Sequence, residues 1–168
     1  MSVHVGSDRP DLDAFYAAVY PRLVGQLTLL TGNVEDAREI ASDAVVRLLP
    51  RWHKVSTFED PEAWLRSVAH RLAVSHWRRA KVATAGLVRL RDTQHLPGPD
   101  GSDVDLTRAL LQLPLGQRQV LVLHHVVGLP LQQIAAELGV AVGTVKSRLG
   151  RGRAALALIL QAHVESTP

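Results

Sequence analysis

The sequence predicts an all-α protein of two small helical domains joined by a flexible linker, the second containing a helix-turn-helix. Three observations predict it. Apolar residues recur at three- and four-residue spacing through most of the 168-residue chain. No segment alternates apolar and polar residues between turn signals, as a strand would. The segment QHLPGPDGSDVD, positions 94–105, gathers two Pro, two Gly and three Asp between the helical halves. The domains so read are residues 1–80 and 106–168, with 81–105 as the linker, each domain long enough for a modest core.

Each element has its own signals. Leu12, Phe15, Tyr16, Val19, Leu23, Leu27 and Leu30 form an inward stripe that Pro21 bends and Gly32-Asn33 stops. A second helix runs from Val34 to Trp52 through Ala37, Ile40, Ala41, Ala44, Val45 and Leu48, with Pro50 disturbing its last turn. Asp60-Pro61 supplies an acceptor cap and a proline at the first helical position, opening a third helix with Trp64, Leu65, Val68, Ala69, Leu72 and Ala73 inward. Helices resume at Leu106–Leu113, Gln117–Val127, Leu131–Leu138 and Val142–Ala162.

Charge is segregated along the chain. Residues 1–62 hold 10 acids and 6 bases, 63–91 hold 7 bases and no acid, 92–116 hold 4 acids and 1 base, and 117–168 hold 5 bases and 2 acids. Of the 19 bases 16 are Arg, the side chain that makes forked contacts to phosphate and guanine, so the two basic blocks suggest two meeting places for a polyanion. The absence of cysteine excludes disulfides, thiolate metal sites and thiol nucleophiles. No apolar run approaches the roughly 18 residues of a membrane span, and MSVHVGSDRP lacks a signal pattern. A soluble cytoplasmic protein is the expectation.

In LQQIAAELGVAVGTVKSRLGRGRAAL, positions 131–156, Ile134, Ala135 and Leu138 form the inward stripe of one helix. Gly139 supplies the left-handed residue that ends it, and Val145 and Leu149 continue the stripe on the next. The opposite face presents Thr144, Ser147, Arg148 and Arg151, with Lys146 beside them: donors for base edges and phosphates. Spacing alone fits equally a helical hairpin with a solvated basic face.

These residues, together with LPLGQRQVLVL at 113–123, resemble the C-terminal promoter-binding domain of bacterial RNA polymerase sigma factors of the extracytoplasmic-function group. LTGNVEDAREIASDAVVRLLPRW and AWLRSVAHRLAVSHWRRAK resemble the other conserved domain of that group, so the likeness covers both halves. The resemblance implies that Thr144, Lys146, Ser147, Arg148 and Arg151 face the minus-thirty-five element, that Gln117 and Arg118 lie near phosphates or polymerase, and that this domain docks on the beta flap. It further implies that the first segment grips the beta-prime clamp and the second opens the minus-ten element. Relatives are often held inactive by an anti-sigma factor, which makes one a candidate partner here.

Physical chemistry supports each role in part. Glu35, Glu39 and Asp43 recur on one face, an acidic stripe suited to a basic partner and repellent to DNA, and Arg38 and Arg47 flank it; a solvated acidic face has the same pattern. Arg71, Ser75, Arg78 and Arg79 share a face of the third helix, with Lys81 just beyond. Each phosphate they neutralise steepens the salt dependence by about 0.9 on duplex and 0.7 on single strands. Trp77 and His76 are candidates for the surface that captures unstacked bases, although a tryptophan at helical spacing also fits a core.

The sequence departs from its relatives where Arg71 and Ser75 replace a common Asn and Asp. Ala141 and Val142 likewise stand where a proline or hydroxyl residue and an acid are frequent, and Val45-Val46 replaces a pairing that includes an aromatic.

Catalytic readings fail. His124 and His125 are adjacent on a helix and expected to point apart, Gly150-Arg151-Gly152 lacks the ending of a phosphate loop, and no serine has a base and orienting acid nearby in sequence. The expectation is therefore no enzyme, no metal and no cofactor. The partners expected are RNA polymerase core and promoter DNA. A stand-alone helix-turn-helix regulator that binds duplex DNA without polymerase is the alternative, which retardation of promoter DNA by the chain alone would favour; loss of Arg148 or Asp43 tests the residue assignments.

Overall fold

The computed structural model describes residues 8–83 and 102–165, which form eight α-helices, a short 3-10 segment and one π turn. α1 (Asp8–Thr31) continues through Pro21. Gly32, at φ 72°, breaks the helix, and Asn33 caps α2 (Val34–Leu48) by accepting from the Glu35 and Asp36 amides at 2.8 and 3.2 Å. Pro50 marks the 3-10 segment Leu49–Arg51, followed by the single-turn α3 (Trp52–Val55). Asp60 Oδ1 accepts from the Ala63 amide at 2.9 Å at the start of α4 (Pro61–Ala83).

The second half contains α5 (Ser102–Leu111), α6 (Leu115–Leu121), the π turn Val122–Val126, α7 (Leu131–Leu138) and α8 (Val142–Glu165). The middle of the expected linker lies outside the described residues. Its ends are helical, because α4 runs on to Ala83 and α5 starts at Ser102.

α1, α2 and α4 pack together around Leu23, Leu27, Ile40, Ala44, Leu65 and Ala69. Phe15 and Trp52 meet there with ring centroids 5.0 Å apart. α6, α7 and α8 close over Val120, Leu123, Ile134 and Val145. Burying each large aliphatic side chain contributes about 1.5–3 kcal/mol. The two cores are continuous, since α1 packs on α5 and α4 on α7. Tyr16, expected inward, is 43% exposed and stacks on Tyr20 at the surface.

Candidate nucleic-acid interface

α4 positions the first basic set. With Leu65, Val68, Ala69 and Ala73 held in the core, 3.6-residue geometry turns Arg71, Ser75, Arg78 and Arg79 outward, and all four are exposed. Arg71 is braced on its own helix, donating from Nε to the Ser67 carbonyl and from Nη2 to Ser67 Oγ, each at 3.2 Å. Ser75 Oγ donates to the Arg71 carbonyl at 3.2 Å. Trp77 is 37% exposed, so it is a surface ring and not core, and Lys81 Nζ lies 4.8 Å from the ring centroid. His76 is turned aside, with Nε2 3.5 Å from Asp36 Oδ2 of α2. Among the described residues no carboxylate pairs with Arg71, Arg78, Arg79 or Lys81, which leaves their charge for an external anion.

α8 positions the second set. Pro130 precedes α7 and Gly139, at φ 66°, ends it; Val140 N then donates to the Ala135 carbonyl at 3.0 Å. Buried Val145 and Leu149 fix the roll of α8, so Lys146, Ser147 and Arg151 are exposed and Thr144 and Arg148 half-buried. Arg148 lies beside α6: a Cβ placed on Gly116 would sit 3.1 Å from its Nε and Cζ. Arg148 also faces the first domain across a cleft that Arg71, Trp77 and Arg78 line, so the structure gathers members of both basic sets.

The acidic set is separate. Glu35, Arg38, Glu39, Asp43 and Arg47 are all exposed on α2, opposite the stripe that packs on α1 and α4. Glu35 and Arg38 form an exposed pair at 2.9 Å; such pairs contribute about 0–1 kcal/mol.

Sequence reasoning missed the contacts between the domains. Arg66 of α4 is 4% exposed and grips Glu137 of α7 with two hydrogen bonds, Nε to Oε2 at 2.8 Å and Nη2 to Oε1 at 2.7 Å, while Ser67 Oγ donates to the Glu137 carbonyl at 3.0 Å. Burial disfavours the Arg66 cation, but the hydrogen bonds and charge of Glu137, with Glu62 and Asp60 behind it, more than compensate and raise its pKa. His70, fully buried beside this pair, has its pKa pushed down to about 4, first by burial and then by the Arg66 charge.

Two expectations are corrected. Arg118, expected near phosphates or polymerase, is 5% exposed and donates to the Leu30 and Leu113 carbonyls. The side chain is drawn inward because the last carbonyls of α1 lack partners within their own helix. His124 and His125 do not point apart: their rings meet edge to face with centroids 4.9 Å apart, because the π turn rotates successive residues by a smaller angle than an α-helix does. Neither correction touches the exposed sets on α2, α4 and α8.

No described helix is long and apolar enough to cross a membrane, and no group of three or more metal-ligating side chains occurs among the described residues.

Known proteins share both halves of this arrangement. Residues 15–82 match sigma-70 region 2 and residues 103–156 match sigma-70 region 4. The chain is 30% identical over 164 residues to the ECF RNA polymerase sigma factor SigM of Mycobacterium tuberculosis, covering 95% of this chain and 82% of that one. It is 32% identical over 126 residues to the RNA polymerase sigma-E factor of Streptomyces coelicolor, covering 72% and 70%.

Among solved structures, the sigma factor RpoE in complex with the anti-sigma factor NepR, from Bartonella quintana, superposes with a TM-score of 0.76 at 26% identity over 90% of this chain and 97% of that one. CnrH in complex with the cytosolic domain of CnrY shares the fold, with a TM-score of 0.66 at 24% identity over 93% and 91%. The region 2 match sets aside the stand-alone regulator, which would need only the second domain. Two helical domains with these matches identify the chain as a member of the extracytoplasmic-function group of sigma-70 factors, which direct bacterial RNA polymerase to promoters.

Proposed function

We propose that the three exposed sets divide the work of promoter use. Arg71, Ser75, Arg78, Arg79 and Lys81, with Trp77 as a stacking face, hold the minus-ten region as it melts. Thr144, Lys146, Ser147, Arg148 and Arg151 read the upstream element in duplex form. Glu35, Arg38, Glu39, Asp43 and Arg47 grip the beta-prime clamp, and the second domain docks on the beta flap. His76, held by Asp36, contributes to the minus-ten surface only after that contact is released. The chain acts in the cytoplasm, at the nucleoid, by differential binding; it performs no chemistry, and polymerase does the catalysis.

The observation that carries this reading is the separation of signs: exposed cations on α4 and α8 that pair with no carboxylate among the described residues, and an exposed face on α2 where acids outnumber bases. An excess of opposite sign on the two kinds of face steers the two kinds of partner to different places.

The buried Arg66–Glu137 contact holds α4 against α7, whereas the two promoter elements are separate stretches of DNA. The domains therefore part when promoter is engaged, and a protein that stabilises the closed form would inhibit. An anti-sigma factor fits that role: the neighbour RpoE is described in complex with the anti-sigma factor NepR, and CnrH in complex with the cytosolic domain of CnrY.

The test is transcription reconstituted with core polymerase on a library of genomic fragments. Start sites should appear only when the chain is added. Arg148→Ala should relax the choice of upstream element by about 1–3 kcal/mol per contacted base, while Asp43→Ala should weaken binding to core and leave binding to isolated duplex unchanged. Wild-type behaviour of both variants would remove the residue assignments.

A further inference from the structure

We propose that the cleft between the domains is a binding site for a nucleoside phosphate, and that its occupant holds the two DNA-reading helices together. The proposal rests on the reading of α4 and α8 as nucleic-acid faces and goes beyond it, because it concerns a small ligand bound when neither face carries DNA.

The cleft has a volume of about 380 Å³, within the range of roughly 300–1,000 Å³ that small-molecule sites occupy. Three arginines line it: Arg71 and Arg78 from α4 and Arg148 from α8. No acidic residue is among its described lining residues, so among these residues nothing balances the guanidinium groups, and an anion bound in the cleft would. Guanidinium groups converging from two elements suit a phosphate, which accepts forked hydrogen bonds.

A second observation points the same way. His70 lines the cleft, is 1% exposed, and lies with Nδ1 3.5 Å from Nε2 of Gln119, itself a lining residue. Its other ring nitrogen, Nε2, is buried and has no hydrogen-bond partner among the described residues. With the Gln119 amide donating to Nδ1, the ring proton sits on Nε2. A buried donor without an acceptor costs about 1–3 kcal/mol, a cost that a ligand oxygen would relieve once a small shift of the ring opens Nε2 to the cleft.

Size and lining favour a nucleotide over a bare phosphate. Val74, Leu115 and Leu138 give the cleft an apolar wall, and Trp77 adds an aromatic one, a surface suited to a base. Such a ligand touches residues of both domains. It therefore binds the closed form alone and shifts the population toward it, in competition with promoter and polymerase.

Adenosine triphosphate is the probe, added to the full chain at low salt and followed by tryptophan fluorescence and thermal unfolding. We expect saturable binding, a raised melting temperature, competition by inorganic phosphate and none by adenosine. Arg148→Ala and Arg78→Ala should each weaken binding about tenfold. Glu137→Ala, outside the cleft, should weaken it as well by letting the domains separate. Absence of saturable binding overturns the proposal. So does binding indifferent to Arg148→Ala, which places the anion on α4 alone, and so does binding of a short single-stranded oligonucleotide but not of the mononucleotide.

Core polymerase binding, measured without and with the nucleotide, keeps the two readings apart. Core binding intact without any nucleotide effect removes the cleft proposal only. Nucleotide binding intact in a chain that ignores core removes the polymerase-binding assignment only.

Discussion

Arg66 and Arg71 stand five residues apart on α4, in one uninterrupted basic run, and have opposite fates. Arg66 is buried against Glu137 and pins the domains together; Arg71 is exposed and held only by Ser67 of its own helix. Helix propensity does not separate them, since both are Arg in mid-helix. What separates them is the chemistry opposite: Arg66 meets a carboxylate from α7, and Arg71, like Arg78 and Arg79 beyond it, meets none among the described residues. The first half is used for architecture and the second is left for a ligand.

Removing the carboxylate breaks the contrast most severely. Glu137→Ala leaves a buried guanidinium with Glu62, 3.8 Å away, and the more distant Asp60 as its acidic neighbours among the described residues, and should cost about 3–5 kcal/mol of interdomain and global stability, read as a lower urea midpoint and a larger radius of gyration by X-ray scattering. Arg71→Ala should leave the unfolding free energy, from the same urea titration, within about 0.5 kcal/mol of wild type.

Acid tests the same seam. A free histidine takes up a proton near pH 6.5, whereas folded His70 resists until about 4. Between these values the unfolded chain binds the proton and the folded chain does not, so stability falls as pH falls through the window, by about 3 kcal/mol when complete. His70→Gln should flatten that part of the profile, measured by urea unfolding at a series of pH values.

The smallest effect sharpens the other half of the comparison. Arg78→Ala should reduce the slope of log K against log salt for single-stranded promoter DNA by about 0.7, with little change in thermal stability.

Much of the fold was legible because its signals are local. The caps at Asn33 and Asp60, the left-handed Gly139 and the apolar stripes lie within a few residues of the elements they define. The exposed charge sets were legible for the same reason, since a stripe fixed inward determines what faces outward. The seam was not, because Arg66 and Glu137 are 71 positions apart and each alone resembles a solvated surface charge. The π turn was hidden in the apolar run around Val122, where α and π windings bury similar side chains. Trp77 was ambiguous because spacing places a ring on a helix without saying what covers it; in the fold it stands at the open cleft between the domains, 37% exposed.

Arg118 completes the last turn of a helix that began more than a hundred residues earlier, by donating to the carbonyl of Leu30, 88 positions upstream. A fragment ending after α4 would lose that donor and expose the end of α1 to water. Cutting the gene into its two halves therefore yields pieces with wounds, and experiments on isolated halves would describe damaged parts instead of the closed form.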